Sequence, residues 1–132
     1  MVLHLHKHKI PFALASGSFH KDYLVKTTNH REFFEHFKLK VFGDDPELKR
    51  GKPFPDQFLL TSDRFSEPAS SPEKILVFED SPNGVLAAKA AGMGVVMVPD
   101  SRLNKDLYND PTQVIFSLED FKPEDYGFPA YD

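Results

Sequence analysis

Two kinds of apolar pattern alternate along the chain. Ile10-Pro-Phe-Ala-Leu-Ala15, Lys40-Val-Phe-Gly43, Lys74-Ile-Leu-Val-Phe78, Gly94-Val-Val-Met-Val98 and Gln113 to Phe116 are short, nearly unbroken runs. Their length and continuity predict strands covered on both faces. Between them the apolar residues are spaced more widely. Tyr23, Leu24, Phe33, Phe34 and Phe37 predict one or two short helices, interrupted near Thr27-Thr28-Asn29. Pro55 is suited to the first position of a helix carrying Phe58, Leu59 and Phe65, and Pro82-Asn83-Gly84 opens an Ala-rich helix, Val85 to Ala91, that Gly92 ends. Val2, Leu3 and Leu5 predict the last turns of another helix, and Leu103 to Tyr108 a further one. Strands separated by helices imply βαβ units and an open parallel α/β sheet. In such sheets ligands bind beyond the carboxyl ends of the strands.

Composition narrows the class. The chain has 132 residues, 40% hydrophobic and 27% charged, which suits one globular domain. Its net charge is −4 with the lysines and arginines dispersed, so no basic stripe is available to track a nucleic acid. With no cysteine, disulfides and thiolate chemistry are excluded and a reducing compartment such as the cytoplasm is expected. The apolar run Ile10 to Ala15 is too short for a secretory signal, and nothing approaches the roughly 18 apolar residues of a membrane span.

Three polar positions fall at strand ends. Ser16 follows the first strand, Lys52 lies in the loop after the second, and Glu79-Asp80 follow the third. A hydroxyl and an ammonium can hold phosphate oxygens, and carboxylate oxygens suit Mg²⁺. Each position alone also has a structural reading: a turn serine, a solvated lysine, a helix cap.

Taken together, ALASGS, GKPFPDQF and LVFEDSPNGVLAAKAAGMGVVMVPD resemble the haloacid dehalogenase (HAD) superfamily of phosphotransferases, from near Ile10 to the end of the chain. Gly43-Asp-Asp-Pro-Glu47 and the ending Tyr126 to Asp132 are most similar to the pseudouridine-5'-phosphatase group. The resemblance implies a Rossmann-like three-layer core and Mg²⁺-dependent hydrolysis of a phosphorylated small molecule. It implies phosphate contacts from Ser16 and Lys52, metal ligation by Asp80 with Glu79 as ligand or orienter, and substrate contacts from Ser18 and His20.

The family's first motif, Asp-x-Asp-Gly-Thr, has no counterpart, since no Asp-x-Asp occurs anywhere in the chain. Its two aspartates are the nucleophile and the acid/base of the reaction. The resemblance also implies that the strand bearing this motif lies between those ending at Ser16 and at Glu79, and that the helical cap is missing. Residues 1–132 are therefore expected to be a partial core domain, inactive alone and weak in Mg²⁺ binding. The two strands would pair directly, leave a gap for another chain, or form a poorly stable fragment. A second reading is a non-catalytic interaction protein, using exposed strand edges for partner binding or self-association.

Two further clusters read as structural. His4, His6 and His8 are expected on a solvated helix face, and Phe33, Phe34 and Phe37 in the core.

Overall fold

The computed structural model describes residues 1–132. Its order is α1 (Val2–Lys7), β1 (Leu14–Ala15), α2 (His20–Lys26), α3 (Arg31–Phe34), β2 (Lys40–Val41), α4 (Asp56–Asp63), β3 (Leu76–Glu79), α5 (Pro82–Ala90), β4 (Gly94–Met97) and β5 (Gln113–Val114), with single 3-10 turns between and after them. All strand pairings are parallel, as the alternation predicts. The strands form two separate sheets, β1-β2 and β3-β4-β5, so the parallel α/β architecture is present but divided.

Sequence periodicity explains how the larger sheet is covered. Val77, Val95 and Met97 point to one face, where they pack with Phe58 of α4 and with Val85, Ala87, Ala88 and Ala91 of α5 and its end. The small alanines let α5 lie close on the strands. Leu76, Phe78, Val96 and Val98 point to the other face, which Phe121 and Tyr126 of the C-terminal segment and Met1 cover. The edge of Phe121 meets Phe78 with ring centroids 4.8 Å apart. β4 has neighbours on both sides and buries Val95, Val96 and Met97 completely, whereas β3, at the sheet edge, buries only Val77.

Several expected elements are shorter than their apolar runs. β1 covers only Leu14 and Ala15 of the run from Ile10, because Pro11 has no N–H to give and the matching partner is just β2. The helix expected over Leu103 to Tyr108 is a single 3-10 turn at Lys105–Leu107, with Asn104 capping Asp106 N–H. Phe33 is exposed, and with Phe12, Phe34 and Phe37 it forms an edge-to-face aromatic cluster outside the two buried cores. His4 is buried rather than solvated: its Nε2 lies 2.7 Å from Pro129 O, and its ring packs on His8 and Tyr131. The chain terminus folding over α1 accounts for that difference.

Between β1 and β3 no backbone ladder forms. A cavity of about 520 Å³ lies there, lined by Ala13, Ala15, Leu76, Phe78, Phe58 and Phe65 among others. The two half-sheets thus leave a gap rather than pairing with each other.

Candidate functional site

The carboxyl ends of β1 and β3 are brought together by one side chain. Lys52, in the loop before α4, donates from Nζ to Ala15 O at 3.2 Å and forms an ion pair with Glu79 Oε1. Its ammonium also lies 4.9 Å from the centre of the Phe58 ring. The pair is largely out of water, with side-chain exposures of 16% for Lys52 and 8% for Glu79. A lysine that spacing alone would leave solvated is here a strut across the mouth of the gap.

Glu79 is seated from below by α5. Ser81 caps that helix by accepting from Gly84 N–H at 3.0 Å, and its hydroxyl donates weakly to Glu79 Oε2 at 3.4 Å. A Cβ at Gly84 would run into the Glu79 carboxylate, so this helix start needs glycine. Asp80 is exposed at the end of the strand.

Ser16 is held by a different set of contacts. Its N–H donates to Val41 O at 2.9 Å, and its carbonyl accepts from Gln57 Nε2 at 2.7 Å. The same amide nitrogen reaches Val41 O at 3.1 Å, so one buried side chain of α4 staples the ends of β1 and β2. Ser16 Oγ accepts from Ser18 N–H at 3.2 Å, shaping the loop, and Ser18 Oγ accepts from Lys26 Nζ at 2.9 Å. Gly43 N–H donates to Ser18 O at 2.9 Å, and a Cβ there would meet Gly17 O. Glycine at 43 is what lets the two loops touch. His20 donates its backbone N–H to Asp44 Oδ1, while its ring packs on Phe42 at 5.1 Å.

The expected residues therefore fall into two groups on one rim. Lys52, Glu79 and Asp80 stand at the mouth of the gap; Ser16, Ser18 and His20 belong to the loop after β1, supported by Gln57, Lys26 and Asp44. Gln57 and Gly84 were not expected to matter. For Gln57 a signal existed, a polar residue beside Phe58 on the apolar side of a helix. Nothing in the sequence distinguishes Gly84 from any other residue of a helix-start turn.

Away from the rim, Arg64 binds Asp45 through two nitrogens, at 2.6 and 2.9 Å, and also pairs with Glu47. Hydrogen bonding from Arg64 holds the Asp45 carboxyl below its ordinary range, and its carboxylates hold Arg64 firmly protonated. The acidic pair after β2 is thereby occupied in fixing the loop to the end of α4.

The donor set does not fit a resident Mg²⁺ site. Glu79 is committed to Lys52, and no group of three or more His, Asp or Glu side chains is gathered that could hold an ion. Mg²⁺ bound through one or two carboxylates relies on waters and substrate phosphates for its remaining ligands.

Comparison with known proteins identifies the family of the chain. A family model described as haloacid dehalogenase-like hydrolase matches residues 1–92. The (DL)-glycerol-3-phosphatase 1, mitochondrial, of Arabidopsis thaliana is 51% identical over 131 residues, covering 99% of this chain and 44% of that protein. A probable pseudouridine-5'-phosphatase of Drosophila melanogaster is 52% identical over 132 residues, covering 99% of this chain and 57% of the relative. Among solved structures, a putative beta-phosphoglucomutase from Thermotoga maritima superposes with a TM-score of 0.74 at 30% identity, over 86% of this chain and 51% of that one. A HAD hydrolase from Entamoeba histolytica reaches a TM-score of 0.79 at 23% identity, over 95% of this chain and 55% of the other, which shows the shared fold. The chain spans about half the length of the curated relatives it matches.

Proposed function

Because the chain belongs to the haloacid dehalogenase-like hydrolase family, we propose that it carries the phosphate-facing rim of a phosphomonoesterase site without the group that attacks phosphorus. In that reading Ser16 and the N–H groups of its loop face phosphate oxygens, Lys52 supplies positive charge, and Asp80 is the open carboxylate toward which Mg²⁺ would be drawn once substrate oxygens complete its shell. Ser18 and His20 stand on the substrate side. The substrate class is a small phosphorylated alcohol or nucleoside, because relatives of about 50% identity carry the names glycerol-3-phosphatase and pseudouridine-5'-phosphatase.

One observation carries the inactive half of this reading. No Asp-x-Asp occurs anywhere in the chain, and the ammonium of Lys52 is spent on Glu79 and Ala15 O. Phosphate esters are cleaved in this family through an aspartyl nucleophile and a second aspartate that moves the proton; losing a covalent nucleophile costs on the order of 10⁶ in kcat in the protease system where it has been measured. What remains can orient an anion but has no group to form the covalent bond.

The test is release of inorganic phosphate from pseudouridine 5'-phosphate, glycerol 3-phosphate and p-nitrophenyl phosphate by the pure 132-residue chain with Mg²⁺. The expected rate is that of the Asp80→Asn variant and of buffer. Turnover that Asp80→Asn abolishes would overturn the proposal.

A further inference from the structure

We propose that Ser71 is a phosphorylation site, presented to a proline-directed protein kinase by the connector between α4 and β3. Residues 66–73 run Ser-Glu-Pro-Ala-Ser-Ser-Pro-Glu, and Lys74 follows. No helix or strand forms from Ser66 to Ser71, and Ser66 to Ser70 are all exposed. The main-chain groups of these five residues take part in no hydrogen bond within the chain. Such a segment can be drawn into the cleft of another protein without breaking a hydrogen bond of this fold. Ser71 itself is extended, with φ −158° and ψ 155°, which is the form a peptide takes when it lies across an enzyme cleft. It is partly exposed, and its hydroxyl does not cap the 3-10 turn that starts at Pro72. The oxygen is free to act as a nucleophile.

Two neighbours supply recognition. Pro72 has no N–H, so it fits an apolar subsite that offers no acceptor, where any other residue would bury an unpaired donor. Lys74, three residues after Ser71, is exposed and forms no ion pair within the chain, so its ammonium is available to an acidic group of the kinase. Only the single turn Pro72–Lys74 has to open for that contact. It is held by Lys74 N–H on Ser71 O at 3.1 Å and Ile75 N–H on Pro72 O at 2.9 Å.

The chain has one other Ser-Pro pair, Ser81-Pro82, and the fold protects it. Ser81 Oγ accepts from Gly84 N–H at 3.0 Å and donates to Glu79 Oε2, and the pair joins β3 to α5, both packed in the core. Gly84 also stands where Lys74 stands for Ser71, so the basic residue is missing.

In the transfer, Ser71 Oγ forms a bond to the γ-phosphorus of ATP as the bond from that phosphorus to the β,γ-bridging oxygen breaks. ADP leaves with the electron pair, and the hydroxyl proton passes to a carboxylate of the kinase. The product carries a charge of about −1.5 to −2 at neutral pH. Lys74, across one turn, is then a charge-assisted partner that ties the connector to the start of β3. Lys52 and Glu79 meet at the carboxyl end of β3, the end away from Ser71, so modification is independent of whether the rim takes phosphate esters.

The experiment incubates the full chain with a purified cyclin-dependent kinase and Mg-ATP, beside a standard peptide substrate that shows the kinase to be working. Intact mass gives the stoichiometry, and tandem mass spectrometry of proteolytic fragments gives the position. One phosphate per chain is expected, on Ser71, and none on Ser71→Ala. Lys74→Ala is expected to slow incorporation about tenfold, the loss of one charge-assisted hydrogen bond, and Pro72→Ala at least as much. A synthetic peptide of residues 67–76 separates two ways of failing. Modification of the peptide but not of the chain would show that the fold withholds the connector, and modification of neither would show that these residues are not read. Either result overturns the proposal, as does equal incorporation into Ser71→Ala, or label on Ser81 in place of Ser71.

Discussion

Replacing Lys52 by methionine keeps most of the side-chain volume against Phe58 and removes the charge that ties the two half-sheets together. The Glu79 carboxylate, 8% exposed, is then left with Ser81 Oγ at 3.4 Å as its side-chain partner. Removing one member of a buried ion pair costs about 3–5 kcal/mol, because the other charge stays desolvated and unpaired. The lost cation–π contact adds about 1 kcal/mol, and the residual exposure of both side chains argues for the lower end, so the expected loss is about 3–4 kcal/mol. That is a large share of the ~5–15 kcal/mol typical of a domain. The cause is separable from simple truncation. Glu79→Gln removes the buried charge, so the double variant Lys52→Met/Glu79→Gln should be less destabilised than the sum of the single changes, with a coupling of about 2 kcal/mol. Urea unfolding followed by far-UV circular dichroism gives all four stabilities. Additivity within about 0.5 kcal/mol, or a loss below about 1 kcal/mol for Lys52→Met, would refute the reading of this pair as a buried strut.

Gly84→Ala should lose about 1–2 kcal/mol in thermal or urea unfolding: the new methyl meets the Glu79 carboxylate, and the better helix propensity of alanine offsets part of that strain. Gln57→Leu should cost about 2 kcal/mol by leaving Ser16 O without its donor, and should speed amide exchange at Ser16 more than at Val95 in the centre of the larger sheet. Asp45→Asn tests the Arg64 pairing through pH. Because the folded-state pKa of Asp45 is lowered, the stability it contributes is present above the ordinary carboxylate value of 3.8 and is lost as the pH falls through the folded value. The gap in stability between the native chain and the variant should therefore hold from neutral pH to mild acid and close below about pH 4; a gap that widens in acid would contradict the assignment.

How much could be read beforehand depended on where the covering neighbours lie. β3, α5 and β4 follow each other closely and cover one another, so Lys74 to Val98 announces its own structure in a continuous apolar run and an alanine-rich helix. The rim was legible for a different reason: residues at strand ends are placed by topology, which put Ser16 and Glu79 at the carboxyl ends of β1 and β3 and Lys52 at the mouth between them. What failed to show depended on contacts distant along the chain. His4 is buried by a carbonyl 125 residues later. Phe33 has the spacing of a core residue, yet the packing around β1 and β2 leaves it exposed, so its aromatic neighbours form a surface cluster. Ile10 to Ala15 reads as a strand covered on both faces, and it shrinks to two paired residues because one flank of β1 is empty. The commitment of Lys52 to Glu79 likewise depends on a gap that composition does not reveal.

The division of the sheet is central to this account, and amide exchange of the dilute free chain tests it most directly. If β1 and β3 face each other across an open groove, Leu14, Ser16, Val77 and Glu79, whose N–H groups point into the ladders, exchange slowly. Ala13, Ala15, Leu76 and Phe78 then exchange fast. Slow exchange at Leu76 and Phe78 in a monomeric sample would show that the two half-sheets close on each other and would contradict the account.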